Sequence, residues 1–335
     1  MSTPSFIFTT IKGRNMNNDN FNFGEEANAP EQLLNLESYI LDDTESHLLI
    51  LEDDTHPSDV VRQAFDFFQF NQRVLNKDVR NMEVDLDRRS ARELVSLYYD
   101  LQKARLGYNN QVRDLTKAGS PHELLTYYAT VIEMLEKSLV APLDHFGNQF
   151  VVGNWAKSQY GIGPVITAGL VAHIDIEKAP TAGAIWRYAG IDPTIKWEKG
   201  QKRPFNAQLK TLTWKIGQSF MKFSNRDQCF YGKLYKQDKA RRIEKNEAGD
   251  YAEFAKHILT TKKWGNNPTR TCLESGMLPP AQIDAQARRL SAKIFLSHYQ
   301  AVAYQAHHGT PAPRPYIIEH GGHVHEIAIP NNPFA

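Results

Sequence analysis

From Ser58 onward, apolar residues recur at helical spacing. Val60, Val61, Ala64, Phe65, Phe67 and Phe68 follow Ser58, a residue type that caps helix starts well. Between Ser90 and Lys117, Leu94, Leu97, Tyr98, Leu101, Ala104, Leu106, Tyr108, Val112 and Leu115 form one stripe, which predicts a long amphipathic helix. Ser120-Pro121-His122-Glu123 opens another, with Pro in its first turn. Leu124, Leu125, Tyr128, Val131, Ile132, Leu135 and Leu139 carry it to about Val140. Two long consecutive helices predict an antiparallel hairpin or coiled coil. The stripe serves as plain core or as a partner-binding face, and the residues admit both.

Further along, residues 148–198 form a unit punctuated by glycine and proline. Gln208 to Lys245 reads as one or two basic helices. Asn246 to Gly276 is mixed, with a turn at Gly265–Pro268 and a proline pair at 279–280. Ala281 to His308 predicts a final long helix, followed by Pro311, Pro313, Pro315 and a His-rich tail. Ahead of all this, residues 1–35 are rich in Asn, Gly, Pro and acids and read as a mobile arm. The short apolar patches between Leu33 and Glu52 read as one or two strands or a docking segment. The expected fold is mainly α. An acidic arm (1–55) precedes a helical hairpin or coiled-coil region (56–147). A helix-hairpin-helix domain (148–198), a basic helical domain (199–310) and a His-rich tail (311–335) follow.

Composition changes this picture little. The chain has 335 residues, 41% apolar and 23% charged, so it can bury a real core. Its two cysteines, Cys229 and Cys272, supply neither a disulfide framework nor a Cys-based zinc site, which fits a reducing compartment. The absence of a leader pattern and of long apolar runs predicts a cytoplasmic or nucleoid-associated protein without membrane association. The net charge is only +1, but its distribution is uneven. Residues 1–55 hold eleven acids against two bases, and residues 199–245 hold thirteen bases against three acids. A basic stretch interleaved with Trp197, Phe205 and Trp214 predicts a polyanion-binding face.

Chemistry concentrates in Lys157-Ser-Gln-Tyr-Gly161-Ile-Gly163-Pro164-Val-Ile-Thr167, continuing to Ile174. A helix from about Asn154 to Gln159 meets a Gly-Ile-Gly turn, and an amphipathic helix starts at Pro164. Gly161 and Gly163 permit positive φ and leave no Cβ in the way. Ile162 points inward. Amides from Ile162 to Val165, with the helix dipole behind them, can then hold a phosphate oxygen. That is the shape of a helix-hairpin-helix, which grips backbone without reading bases. Lys157, Gly161, Ile162, Gly163, Val165 and Thr167 make up this candidate site. Lys199, Lys202, Arg203 and Lys210 extend it as phosphate-tracking cations beside rings that stack on unpaired bases. Lys215 belongs to the same cluster, and Trp214 reads as core.

The run from Gly161 to Ile174, followed by Ala184-Ile-Trp-Arg-Tyr-Ala-Gly190-Ile-Asp-Pro193, resembles the C-terminal domain of bridge-RNA-guided insertion-sequence transposases. Weaker similarity reaches Ser90-Ala-Arg-Glu-Leu-Val, Leu209 to Leu234 and Ala287-Arg-Arg-Leu-Ser-Ala-Lys-Ile, so it covers about 90–308. The resemblance implies a DNA-handling helical scaffold, with DNA or structured RNA as partner. The family's catalytic parts do not carry over. Residues 1–86 lack the strand pattern of an RNase-H-like metal domain. In Asp87-Arg-Arg-Ser90-Ala91 a Ser stands where the family's final Asp would be. The loop Lys199 to Gln208, where the family places a nucleophilic Ser, contains none. Ser219 and Ser224 lie later, inside or at the end of a helix.

His320, His323 and His325 could present imidazoles to one zinc, or do nothing; no other cofactor is implied beyond magnesium in a catalytic reading. Three functions are therefore open: a non-catalytic, sequence-tolerant DNA-binding protein; a transposase or recombinase with rearranged catalytic residues, starting from Asp85, Asp87, Ser219 and Ser224; and a structural phage or plasmid protein with a vestigial hairpin. A homo-oligomer through helices 58–140 is expected.

Overall fold

The computed structural model describes residues 66, 86–195, 197–198, 200–261, 263–314 and 327–335. The acidic arm, most of the 56–85 stretch, Lys199, His320, His323 and His325 lie outside them. The described residues are mainly helical, with no strand among them.

Helix α1 (Arg88–Lys117) starts at Asp87, whose carboxylate accepts the Ser90 N–H at 2.6 Å. It is followed by Gly119 in the left-handed region, at φ 74°. After a short turn, α2 (Glu123–Ser138) runs back along α1. Its cap is His122, whose Nδ1 accepts the Leu125 N–H at 3.4 Å, so Pro121 precedes the helix instead of standing in its first turn. Between the two helices lies a buried carboxylate. Glu136 accepts from Arg105 at 2.5 Å and from Gln102 at 3.4 Å. Only Ala91 and Val95 of α1 are buried, so its first turns root the hairpin and its remainder extends beyond the core.

Next come α3 (Val140–Asn148), α4 (Val151–Lys157) and α5 (Pro164–His173). A Cβ on Gly153 would stand 2.0 Å from the Gly147 carbonyl oxygen, so α3 and α4 meet backbone to backbone. Helix α5 is not amphipathic. Every residue from Thr167 to His173 is buried, and such a helix sits inside its domain. Arg88 of α1 caps its far end by donating to the Ile174 carbonyl at 2.8 Å.

Helix α6 (Ala182–Tyr188) leads to α7 (Ala207–Lys222), where Asn206 caps the first turn through the Leu209 N–H at 2.8 Å. The basic region then continues as a second helix, α8 (Phe230–Glu247). Helices α9 (Ala252–Thr261) and α10 (Pro268–Glu274) enclose a small satellite core of Ala255, Leu273, Leu278 and Ile283. Buried Asn246 ties it to α8, exchanging hydrogen bonds of 2.8 and 3.0 Å with the Leu278 backbone. Helix α11 (Pro280–His308) is the spine; it packs on α4, α6, α7 and α8 and ends at Gly309.

One main core draws on α1, on α3 to α8 and on α11: Val95 from α1, Phe146, Trp155, Leu170, Ile185, Ile216, Tyr231 and Phe295. The segments 88–147, 148–198 and 199–310 thus fold as one packed body rather than side by side. The chain's last described stretch, 327–335, docks on it. The Pro330 carbonyl accepts from Trp155 Nε1 at 2.9 Å, and the Ile327 carbonyl lies 3.0 Å from His298 Nε2.

Candidate nucleic-acid interface

The chain leaves α4 at Lys157, two residues before the expected Gln159, and turns through Gly161 and Gly163 into α5. The turn is fixed from behind. The Ile162 N–H donates to the Gln159 carbonyl at 2.9 Å, and the Ile162 side chain is buried. At Gly161 φ is 97°, where an L side chain is strained. A Cβ there would also crowd Ser219 Oγ at 3.1 Å and Phe223 at 3.3 Å. The Ser219 hydroxyl donates to the Gly161 carbonyl, and Tyr160 meets Phe223 edge to face.

Gly163 behaves differently. Its φ of −97° and ψ of 176° are extended backbone, so the expectation of positive φ holds at Gly161 alone. The Cβ position of Gly163 has no atom within 4 Å. Pro164 is the first residue of α5, and no side chain caps that end. Among the described residues, nothing accepts from the amides of Gly163, Val165 or Ile166, whereas the Ile162 amide is used within the turn. These three N–H groups form the open, partly positive start of α5.

The side chains around this start are less available than the sequence implies. Lys157 is paired, its Nζ 2.6 Å from Asp144 and 3.2 Å from Asn148. Val165 and Thr167 are buried; Thr167 faces Gly147 and Gly153 across the α3–α5 contact, so only backbone remains to meet a ligand. Ser219 is spent holding the turn, and Asp87 caps α1. Lys215 lies over the Tyr99 ring at 4.0 Å, against α1. Trp214 is 48% exposed and not core.

A second feature forms at the other end of α7. Arg187, Gly190, Asp192, Ile195, Trp197, Phe205 and Lys210 line a hollow of about 210 Å³. Gly190, at φ 64°, lets the chain pass under Phe205; a Cβ would stand 2.8 Å from that ring. Lys210 Nζ sits 4.3 Å from the Phe205 centroid, and the Arg203 guanidinium 5.7 Å from that of Trp197. Burial, together with Arg289 and Arg203 nearby, lowers the Lys210 pKa. Burial and Arg289 likewise lower that of Lys293, against the pull of Asp192; Lys293 lies over the Trp186 ring at 4.8 Å. Asp192 accepts from the Thr194 N–H and hydroxyl, which hold its pKa down, and it lies 3.7 Å from Arg187. Two cations, Arg187 and Lys293, thus face Asp192, two arginines crowd Lys210, and Lys202 is exposed on the adjoining loop.

Residues 210 and 219 lie nine positions apart on α7, which places the turn and the hollow about 14 Å apart along its axis. Lys202, Arg203 and Lys210 therefore belong with the hollow rather than with the amides. Arg289 and Lys293 went unread as site residues, because they come from α11, some eighty positions further on. Their signal, a helix bearing bases beside Ala287, is indistinguishable in sequence from a solvated face.

Among the described residues no group of three His, Cys, Asp or Glu side chains is placed to hold a metal ion, and no helix is long and apolar enough to cross a membrane. No family model matches this chain, and no curated protein or solved structure is significantly similar to it.

Proposed function

We propose that this protein binds nucleic-acid backbone without reading sequence, on a scaffold of the transposase helix-hairpin-helix type and without strand-cleaving chemistry. The observation that carries this reading is the linked cluster at the hollow: Arg187 and Lys293 face Asp192, while Arg203 and Arg289 crowd Lys210. Cations that depress one another's proton affinity repel, and a polyanion relieves that repulsion. The open amides of α5, at the other end of α7, add a second place for a phosphate. The non-catalytic half of the proposal is supported by what the candidate catalytic groups are doing: Asp87 caps a helix and Ser219 holds a carbonyl.

Gel shifts with duplex, single strand, four-way junction and structured RNA at two salt concentrations test this. On duplex, each phosphate neutralised steepens the fall of log affinity with log salt by about 0.9. Arg203→Glu with Lys210→Glu flattens that slope. No binding to any of the four at low salt would falsify the proposal.

The same proposal includes self-association through the α1–α2 hairpin, on a specific observation: Leu97, Leu106, Leu124, Tyr128 and Leu135 are each more than 40% exposed. Light scattering of the wild type against Leu106→Lys/Tyr128→Lys reads it; a monomeric wild type excludes it.

A further inference from the structure

The hollow beside α7 deepens this reading, on which it rests, by defining a ligand class. Its volume of about 210 Å³ is well below the ~300–1,000 Å³ of sites that enclose whole drug-sized molecules. It has room for one flat ring and a phosphate, and none for paired bases. Its walls match those two parts. Trp197 and Phe205 stand 6.4 Å apart at 74°, so a planar group lying on one meets the edge of the other. Trp197 is 38% exposed although its indole N–H is fixed to the Gln201 carbonyl at 2.9 Å. A ring held in place and more than a third exposed, with the Arg203 guanidinium 5.7 Å from its centroid, is a stacking platform that loses little entropy on binding.

Charge completes the match. Among the described residues, Arg203, Lys210 and Arg289 have no carboxylate partner, while Asp192 is occupied by Thr194 and Arg187. Lys210 is the cation common to the ring wall and the charge cluster, since it touches Phe205 and feels both arginines.

We propose that the hollow takes one unpaired nucleotide of a single strand, its base against Trp197 and its phosphate beside Lys210. The protein therefore prefers single-stranded or locally unpaired nucleic acid to duplex, whose bases are already stacked and cannot enter.

Fluorescence anisotropy with a dye-labelled oligothymidine and a duplex, both at low salt, provides the test. Trp197→Ala lowers affinity for the oligothymidine about tenfold, within the range found for losing one stacked base, and leaves the duplex unchanged. Trp197→Phe, which keeps a ring, retains most of the single-strand affinity and guards against a folding artefact. Lys210→Gln weakens both ligands, because its contact is to phosphate. If Trp197→Ala binds oligothymidine as well as the wild type does, or loses both ligands equally, the hollow is not a base pocket and the backbone-binding reading stands without it. If the wild type binds neither ligand, both readings fall together.

Discussion

At its C-terminal end, α7 presses Ser219 and Phe223 against a turn that is neutral, tightly packed and offers only backbone amides. At its N-terminal end, Lys210 joins Arg203 and Arg289 around a hollow lined by rings. Both are fitted to anions, by different physics. The turn end concentrates partial charge by leaving N–H groups unsatisfied, which requires the loop to be held rigid by neighbours. The hollow end concentrates full charge, which requires only that cations outnumber carboxylates there. Damage to the first is therefore expected to appear as lost stability, and damage to the second as lost binding.

The largest effect expected on this contrast comes from Gly161→Val. It forces a β-branched residue to φ 97° and into Phe223, a strain plus clash of roughly 2–4 kcal/mol. Thermal melting should fall by about 5–10 °C. Gly163→Ala, two residues on, has open space at its Cβ and ordinary φ, so its melting temperature stays within about 1–2 °C of wild type. Equal losses at the two glycines would erase the distinction between a strained position and an open one.

Acid should strike the turn end next. His298 is buried between the Tyr231 hydroxyl at 2.8 Å and the Ile327 carbonyl at 3.0 Å, and burial lowers its pKa to about 4. In the unfolded chain the imidazole titrates near its ordinary 6.5. The unfolded state then holds a proton that the folded state refuses, and stability declines as pH drops from 6.5 towards 4. By pH 5 the loss attributable to His298 is about 2 kcal/mol. His173, buried in α5 and lowered to about 4 by burial and by Arg92, steepens the same slope. Denaturant midpoints at pH 7 and pH 5 measure it. His298→Gln, less stable at pH 7, should show a shallower decline; an unchanged decline would remove His298 as the cause.

A smaller loss is expected from Ser219→Ala, which leaves the Gly161 carbonyl without its donor at a cost of about 1 kcal/mol. A stability change near zero, with single-strand and duplex binding intact, would mean that Phe223 alone holds the turn.

How much of this could be read from the chain depended on distance along it. The helices of 90–140 and 281–308 were legible because a stripe at helical spacing is local, and so was the turn, because Gly-Ile-Gly-Pro constrains its own backbone. Which glycine needed positive φ was not, since Phe223 and Ser219 arrive from α7, sixty positions away. Thr167 looked available because a hydroxyl near a helix start caps or binds; its burial against Gly147 and Gly153 is a tertiary fact. Trp214 looked like core from its apolar size, but it stands on the outer face of α7, which buries Leu212, Thr213 and Ile216 instead. Lys202, Arg203 and Lys210 were visible as a basic run. That three more cations close the hollow with them follows only from packing α6 and α7 on α11.

The smallest stability effect expected has the opposite sign. Lys210 carries its charge against burial and two arginines, so its pKa lies below the ordinary lysine value in the folded state and near it when unfolded. The folded protein releases that proton first as pH rises, so the charged form costs stability at neutral pH and the cost disappears in alkali. Solvent screens much of it, because the side chain is largely exposed, and Lys210→Gln should raise the melting temperature by no more than about 1–2 °C. Arg203→Gln acts in the same direction by relieving Lys210. A charge that weakens the fold and yet sits beside an open stacking ring has its use in the bound state. Melting curves of Lys210→Gln with and without oligothymidine separate the two roles: slightly more stable alone, less stabilised by ligand. A variant that melts lower alone would show that Lys210 serves the fold through Phe205, and the contrast between the two ends of α7 would narrow to one of degree.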